Sequence, residues 1–144
     1  MTITIADIKN EIKRHLSVIG KRLYTKDGKN MFSDITVSSA EEPILVQYIT
    51  TSAHDIEAAL KQLITSATYS GNTTITIEIQ NTRGDIDFGV RVKDLSEGYI
   101  TLNAVGEYLS MTHPDLAQMY RQDAQKRMSS LIEYVYYKKP PQGI

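Results

Sequence analysis

The chain has 144 residues, a formal net charge of −1 and no cysteine, with 41% apolar and 23% charged residues. That is enough for one globular domain with a buried core. The charge argues against a protein that works by neutralising many phosphates, and the lack of cysteine excludes disulfide staples and thiolate metal sites.

The first fifteen residues, MTITIADIKNEIKRH, carry charge from Asp7 onward and are not expected to form a signal peptide. No stretch approaches the ~20 apolar residues of a membrane span, so no membrane partner is expected. Thr4 and Asp7 have capping-box spacing, and Ile5, Ile8, Ile12, Leu16 and Ile19 recur at three- and four-residue steps. The pattern predicts a helix over 5–19, stopped by Gly20. Asp27-Gly28 then suits either a tight hairpin turn or a loop within 24–32. Ser38 with Glu41 and Ser39 with Glu42 repeat the capping-box spacing, and Pro43 belongs in a first turn. Leu45, Ile49, Ser52 or Ala53, Ile56, Leu60 and Leu63 make the next stripe, predicting one long helix to about Ala67. Small residues at Ser52, Ala53, Ala58 and Ala59 would let a neighbouring helix approach.

The period then changes from 3.6 to 2. Ile75, Ile77 and Ile79 alternate with Thr74, Thr76, Glu78 and Gln80, and Ile86, Phe88, Val90 and Val92 alternate with Asp85, Asp87, Gly89 and Arg91. This predicts an amphipathic hairpin over about 73–92, turning at NTRG, whose apolar face needs cover from this chain or another subunit. Helical spacing returns with Leu95, Tyr99, Leu102, Val105 and Leu109, and Asp94 with Glu97 suits its start. Gly98 and Gly106 lie near one side, where another backbone could come close. Pro114 and Asp115 open the last helix, whose stripe is Leu116, Tyr120, Ala124, Met128, Leu131 and Val135. Pro140-Pro141 forbids its continuation. The chain then ends as a sticky, basic segment. Residues 138–144, with Lys138, Lys139, Pro140 and Pro141, are therefore expected to form a docking tail, anchored by Tyr136 or Tyr137. The fold class expected is mainly α (α+β): one domain over 1–144, a small bundle of about four helices with an inserted amphipathic β-hairpin.

Candidate chemistry is sparse. His15, His54 and His113 fall in different elements and none has a metal-ligand partner at helical spacing. Asp85 and Asp87 read as a solvated face beside Arg83 and Arg91. SGNTT lacks the lysine and spacing of a phosphate loop. Lys13, Arg14, Lys21 and Arg22 read as a solvated helix end. No catalytic residue, metal or cofactor is expected, and no enzyme activity.

The order of elements, with a capped first helix, a long helix opening SSAEEPILVQYITTSAHDIEAAL, an insertion, a further helix and YRQDAQKRMSSLIEYVYYKKPP, resembles the head-tail connector proteins of tailed bacteriophages, also called adaptor, head-completion or neck proteins. The resemblance implies a mainly helical structural protein of the virion, made in the host cytoplasm. It implies a homo-oligomeric ring of about twelve copies beneath the portal, continuous with the tail and open to non-specific contact with channel DNA. By the same resemblance, Ile75, Ile77, Ile79, Ile86, Phe88 and Val90, with the tail, would meet the portal or an adjacent subunit. A rival reading from a different class is a non-catalytic cytoplasmic binding module, such as a small regulator or antitoxin-like partner.

Overall fold

Ile5, Ile8, Ile12 and Leu16 are all buried, so the first isoleucine stripe does become one face of a helix. The computed structural model describes residues 1–22 and 37–136. In chain order these form β1 (Thr2–Thr4), α1 (Ile5–Arg22), α2 (Glu42–Ala59), a short 3-10 turn (Lys61–Leu63), β2 (Ile64–Ser70), β3 (Thr74–Ile79), α3 (Phe88–Leu109) and α4 (Pro114–Tyr136). The described residues are mainly helical, with four helices and one small antiparallel sheet ordered β1-β3-β2. The segment 24–32, for which a hairpin or a loop was expected, lies outside the described residues.

α2 begins at Glu42 with Pro43 in its first turn, as the proline predicts. Ser38 donates its N–H and hydroxyl to Glu41 Oε1 at 3.3 and 3.0 Å, but Glu41 is itself the N-cap and makes no side-chain cap bond, so the expected capping box is not formed. Leu45, Ile49, Ser52, Ala53 and Ile56 are buried along the predicted stripe. The helix nevertheless stops at Ala59, not near Ala67. The stretch ITSATYS, from Ile64 to Ser70, is rich in β-branched and small polar residues and carries no leucine to extend the stripe. It pairs with β3 instead, from Ile64↔Ile79 to Ser70↔Thr74. The reversal is made at Gly71, whose φ of +55 is costly for residues with a Cβ.

The hairpin is therefore displaced from its expected place. Its first predicted arm, 74–79, is a strand, but its partner is the segment before it. The expected second arm is the start of α3: Phe88 and Val92 are buried while Ile86 and Val90 are exposed. The alternation of apolar residues over 86–92 fits period 2, but burial selects 88, 92 and 96, a helical step of four. Asp94 and Glu97 accordingly lie inside α3 and do not cap it. A strand missed in the sequence, β1, completes the sheet, with Thr2↔Thr76 and Ile3↔Ile75 in register. Ile3, Ile75 and Ile77 turn to the core, and the opposite face carries hydroxyls.

α3 is the central helix and contacts α1, α2 and α4. Its buried residues include Ser96, Thr101 and Gly106 as well as Tyr99, Ile100, Ala104, Val105 and Leu109, so it is enclosed on several sides. Against α2 the contact is partly polar. Asn103 Nδ2 donates to Ser52 Oγ at 2.9 Å, and Ser52 Oγ in turn donates to the Tyr48 carbonyl at 2.8 Å. Tyr99 donates to Asp55 at 2.8 Å and Tyr108 to Glu41 at 3.0 Å. These pairs fix α2 antiparallel to α3. Of the four small residues expected on a close-packed face of α2, Ser52 and Ala53 are buried there, Ala59 is half-buried and Ala58 is exposed.

The two α3 glycines differ. A Cβ on Gly106 would sit 2.9 Å from Arg121 Cγ and 3.2 Å from the Ala117 carbonyl oxygen, so here α4 backbone comes close, as the sequence suggested. A Cβ on Gly98 would meet only the Arg127 side chain, at an ordinary 3.5 Å. Gly98→Ala is therefore expected to stabilise the protein by about 0.5–1 kcal/mol through helix propensity. Gly106→Leu is expected to cost about 1–3 kcal/mol by forcing α3 and α4 apart. Urea unfolding of both variants checks the pair; equal effects would contradict the assigned packing.

Candidate interaction surface

The loop from β3 to α3 is built by NTRGD. Asn81 Oδ1 accepts from the backbone N–H groups of Gly84 and Arg83 at 2.8 and 3.2 Å, an Asx-type turn, and Asn81 Nδ2 donates to the Asp85 carbonyl at 3.1 Å. Gly84 takes φ +69. The turn read from NTRG thus exists, but it delivers the chain into a helix rather than a second strand.

This loop is bound to the last turns of α4. Arg83 Nε lies 2.8 Å from Asp85 Oδ2, with both side chains only 16% exposed. Tyr134 donates to the same carboxylate oxygen at 3.3 Å. The Arg83 guanidinium lies 4.4 Å from the Tyr134 ring centre, and Phe88 stacks on that ring at 5.7 Å. Arg91 approaches the ring as well, at 5.5 Å. The Thr82 hydroxyl donates to the Val135 carbonyl. An ion pair, a cation–π contact and an aromatic stack thus meet on one tyrosine and pin loop 80–87 to the end of the bundle. Tyr134 and Arg83 were not legible as partners from the sequence. Phe88 was, but as a hairpin residue.

The interface residues expected from the sequence part company here. Ile75, Ile77 and Phe88 are buried, and Ile79 is half-buried against the core, so these four support the fold and offer no docking face. Ile86 is fully exposed and Val90 is 65% exposed. The six therefore share no face. The reason is the helical start at Phe88, which sends positions 86 and 90 outward and 88 and 92 inward. Tyr136 is partly exposed at 36%, and its hydroxyl donates to the Ala59 carbonyl at 3.4 Å. Tyr137, Lys138, Lys139, Pro140 and Pro141 lie outside the described residues.

Ile86, Val90 and Tyr136 all belong to one end of the bundle, where the sheet lies. The remaining exposed large apolar side chains among the described residues are Val18, Ile44, Met111 and Met119. They belong to the opposite end. Met111 lies in the turn between α3 and α4, and Met119 lies beside Tyr120. Tyr120 ties α4 to His15 of α1 at 3.5 Å, and Tyr108 ties the end of α3 to Glu41 at the start of α2. Among the described residues, the exposed large apolar side chains thus fall toward the two ends of α3, whose 22 residues span about 33 Å.

Between the ends the surface is polar. A cleft among α1, α3 and α4 is lined by Glu11, Arg14, His15, Asp94, Glu97 and Arg127. Most of these charges are paired or solvated: Arg14 binds Glu11 at 3.0 Å, and Glu97 lies 3.8 Å from Lys93. Asp87 sits at the N-terminus of α3 near Arg91, at 3.9 Å. His54 contacts Glu57 and Tyr69, and His113 contacts Thr112, so the three histidines do not converge. Among the described residues, no group of three or more His, Asp or Glu side chains could hold a metal ion, and no helix is long and apolar enough to cross a membrane.

Comparison with known proteins yields no matching family model, no matching curated protein and no matching solved structure.

Phe88→Asp is expected to cost on the order of 4 kcal/mol, because it removes a buried ring that stacks on Tyr134 and puts a carboxylate in its apolar place. Ile86→Asp and Val90→Asp should each stay within about 0.5 kcal/mol of the native stability. Thermal unfolding of the three variants decides whether 86 and 90 face solvent; a large loss at either would contradict it.

Burial of the His15 imidazole, with the charge of Arg14 as a second cause, lowers its pKa in the folded state. The unfolded chain therefore takes up the proton first, at about 6.5. The stability this group contributes is fully present above that value and is lost as pH falls through the folded pKa. The melting temperature should fall on acidification below about pH 6.5, and His15→Gln should reduce that loss. A variant with an unchanged pH slope would contradict a role for His15.

Proposed function

We propose that this chain is a non-enzymatic structural protein of a tailed-bacteriophage virion, a head-tail connector that forms a ring between portal and tail. The identification rests on the resemblance in element order. The observation that carries it further is the segregation of exposed apolar residues to the two ends of the bundle. A connector joins two unlike layers and needs two separate contact surfaces. Ile86, Val90 and Tyr136 would serve one layer, and Met111 and Met119 the other. The rigid four-helix body between them sets their separation.

On this reading α4 ends, at Tyr136, at the end of the bundle that bears Ile86 and Val90. Tyr137, Lys138, Lys139 and the Pro140-Pro141 pair would add a low-entropy docking segment beside that patch. The lysines would meet acidic groups of the portal or the phosphates of channel DNA. A cyclic ring also needs side-to-side contacts, for which the polar flanks with their exposed charges are suited.

The experiment is quantitative proteomics of purified particles from the phage or prophage that encodes the chain, with native protein and with the Ile86→Asp/Val90→Asp double variant. The native chain should be present at a ring stoichiometry. The double variant should remain folded and soluble but be depleted from particles at least about tenfold, a loss of about 1.4 kcal/mol or more in binding. Absence of the native chain from particles would overturn the reading, and full occupancy by the double variant would overturn the assigned surface.

A further inference from the structure

The outer strand of the sheet, β2, carries a row of backbone groups that have no partner among the described residues. Their positions can be deduced from the neighbouring ladder. Ile77 exchanges both backbone hydrogen bonds with Met1, at 2.9 Å each, and the Ile5 N–H donates to the Thr73 carbonyl at 2.9 Å. Residues 73 and 77 of this segment therefore point their backbone groups toward β1. In an antiparallel strand the direction alternates, so Thr74, Thr76 and Glu78 point toward β2. Their partners there are Ser70, Thr68 and Ser66. By the same alternation Ala67 and Tyr69 aim their N–H and C=O groups away from the sheet. β2 has β3 as its single neighbour, and among the described residues no backbone bond outside the sheet engages Ala67 or Tyr69. The bulge between Ile64 and Ser66 ends this regular stretch on one side, and the turn at Gly71 ends it on the other.

Natural sheets protect such edges with lysine, proline, an inward charge, a bulge or a covering element, and the bulge of β2 lies before Ser66, outside the stretch 66–70. β2, Ile64–Ser70, has neither charge nor proline in its seven residues, ITSATYS. We propose that this edge pairs with the same edge of a second copy of the chain, antiparallel about a two-fold axis through Thr68, giving a continuous six-stranded sheet.

The sequence of the edge is self-complementary in that register. Ala67 lies opposite Tyr69 of the second copy, and Tyr69 opposite its Ala67, so each pair exchanges two backbone bonds, four in all. A small side chain faces a large one at both places, on the side where Tyr69 already lies over His54 at 4.7 Å. On the other side Thr68 meets Thr68, and Ser66 meets Ser70, so hydroxyls face hydroxyls and no charge opposes a charge. The hydroxyl face made by Thr2, Thr76 and Thr68 in one row, and Thr4, Thr74 and Ser70 in the next, would continue across the axis. This contact is separate from the proposed ring, because a two-fold pair closes on itself and does not propagate round a cyclic assembly.

The native chain has no cysteine, so single cysteines report the register directly. In a non-hydrogen-bonded antiparallel pair the two Cα atoms lie about 4.5 Å apart, within disulfide range. Thr68→Cys should yield a disulfide-linked pair under mild oxidation of the purified full chain. Ser66→Cys, on the same strand and face, lies opposite Ser70 and should not. In native protein, amide hydrogen exchange at Ala67 and Tyr69 should slow as concentration rises, with the amides of loop 82–85 unaffected. Linkage of both cysteine variants to the same extent, linkage of neither, or exchange at Ala67 and Tyr69 that is independent of concentration would overturn the proposal.

Discussion

Everything in this molecule is arranged around the burial of α3. A helix enclosed on several sides cannot present a simple apolar stripe, and α3 does not: small and polar residues such as Ser96, Thr101, Ala104 and Gly106 are buried beside Tyr99 and Val105. Each neighbour makes a different demand. α4 needs the missing side chain of Gly106, where its backbone comes within 3.2 Å of a would-be Cβ. α2 needs the Asn103–Ser52 and Tyr99–Asp55 hydrogen bonds, which leave its buried polar groups satisfied. Ser96 Oγ is buried without a hydrogen-bond partner, and nothing in the structure explains it.

The sheet depends on the same helix. β1 and β3 send Ile3, Ile75 and Ile77 into the core that α3 organises, while their threonines stay outside. Loop 80–87 must then cross from the sheet to the start of α3, and it is held there by Tyr134 of α4 through Arg83, Asp85 and Phe88. Because Phe88 is drawn inward by that stack, Ile86 and Val90 are turned outward. The exposure of the candidate docking residues is thus a geometrical consequence of how the core closes. The same closure leaves β2 at the edge of the sheet, where its Ala67 and Tyr69 backbone groups have no partner among the described residues.

How much of this could be read from the residues depended on how many neighbours each element has. α1 and α4 are covered on one side, and their stripes predicted them well: Ile5, Ile8, Ile12 and Leu16, then Ala124, Met128, Leu131 and Val135, are all buried. Pro43 and Pro114 marked helix starts to within a residue. β3 was legible because Ile75 and Ile77 alternate with hydroxyl residues. The errors lay where two periods fit the same letters. Leu60 and Leu63 continue the α2 stripe by spacing, yet the β-branched residues after them favour a strand. Ile86, Phe88, Val90 and Val92 alternate as in a strand, yet only alternate members of that set are buried. Neither ambiguity can be resolved locally. For 86–92 the choice is made by Tyr134, about 50 residues away in the chain and in contact with Phe88 and Asp85. The candidate interface was legible only in part for the same reason. Its residues were identified as apolar and in need of cover, but four of them obtain that cover within the chain.

The end of the bundle built by loop 80–87 and the last turns of α4 is the surface proposed to meet another protein. The most direct measurement is hydrogen–deuterium exchange by mass spectrometry on the free chain and on the chain mixed with the portal protein, its proposed partner. The account predicts new protection over residues 82–92 and the last turns of α4, with the central part of α3 already protected in both states. Unchanged exchange at that end, with new protection confined to the polar cleft between α1 and α3, would contradict it.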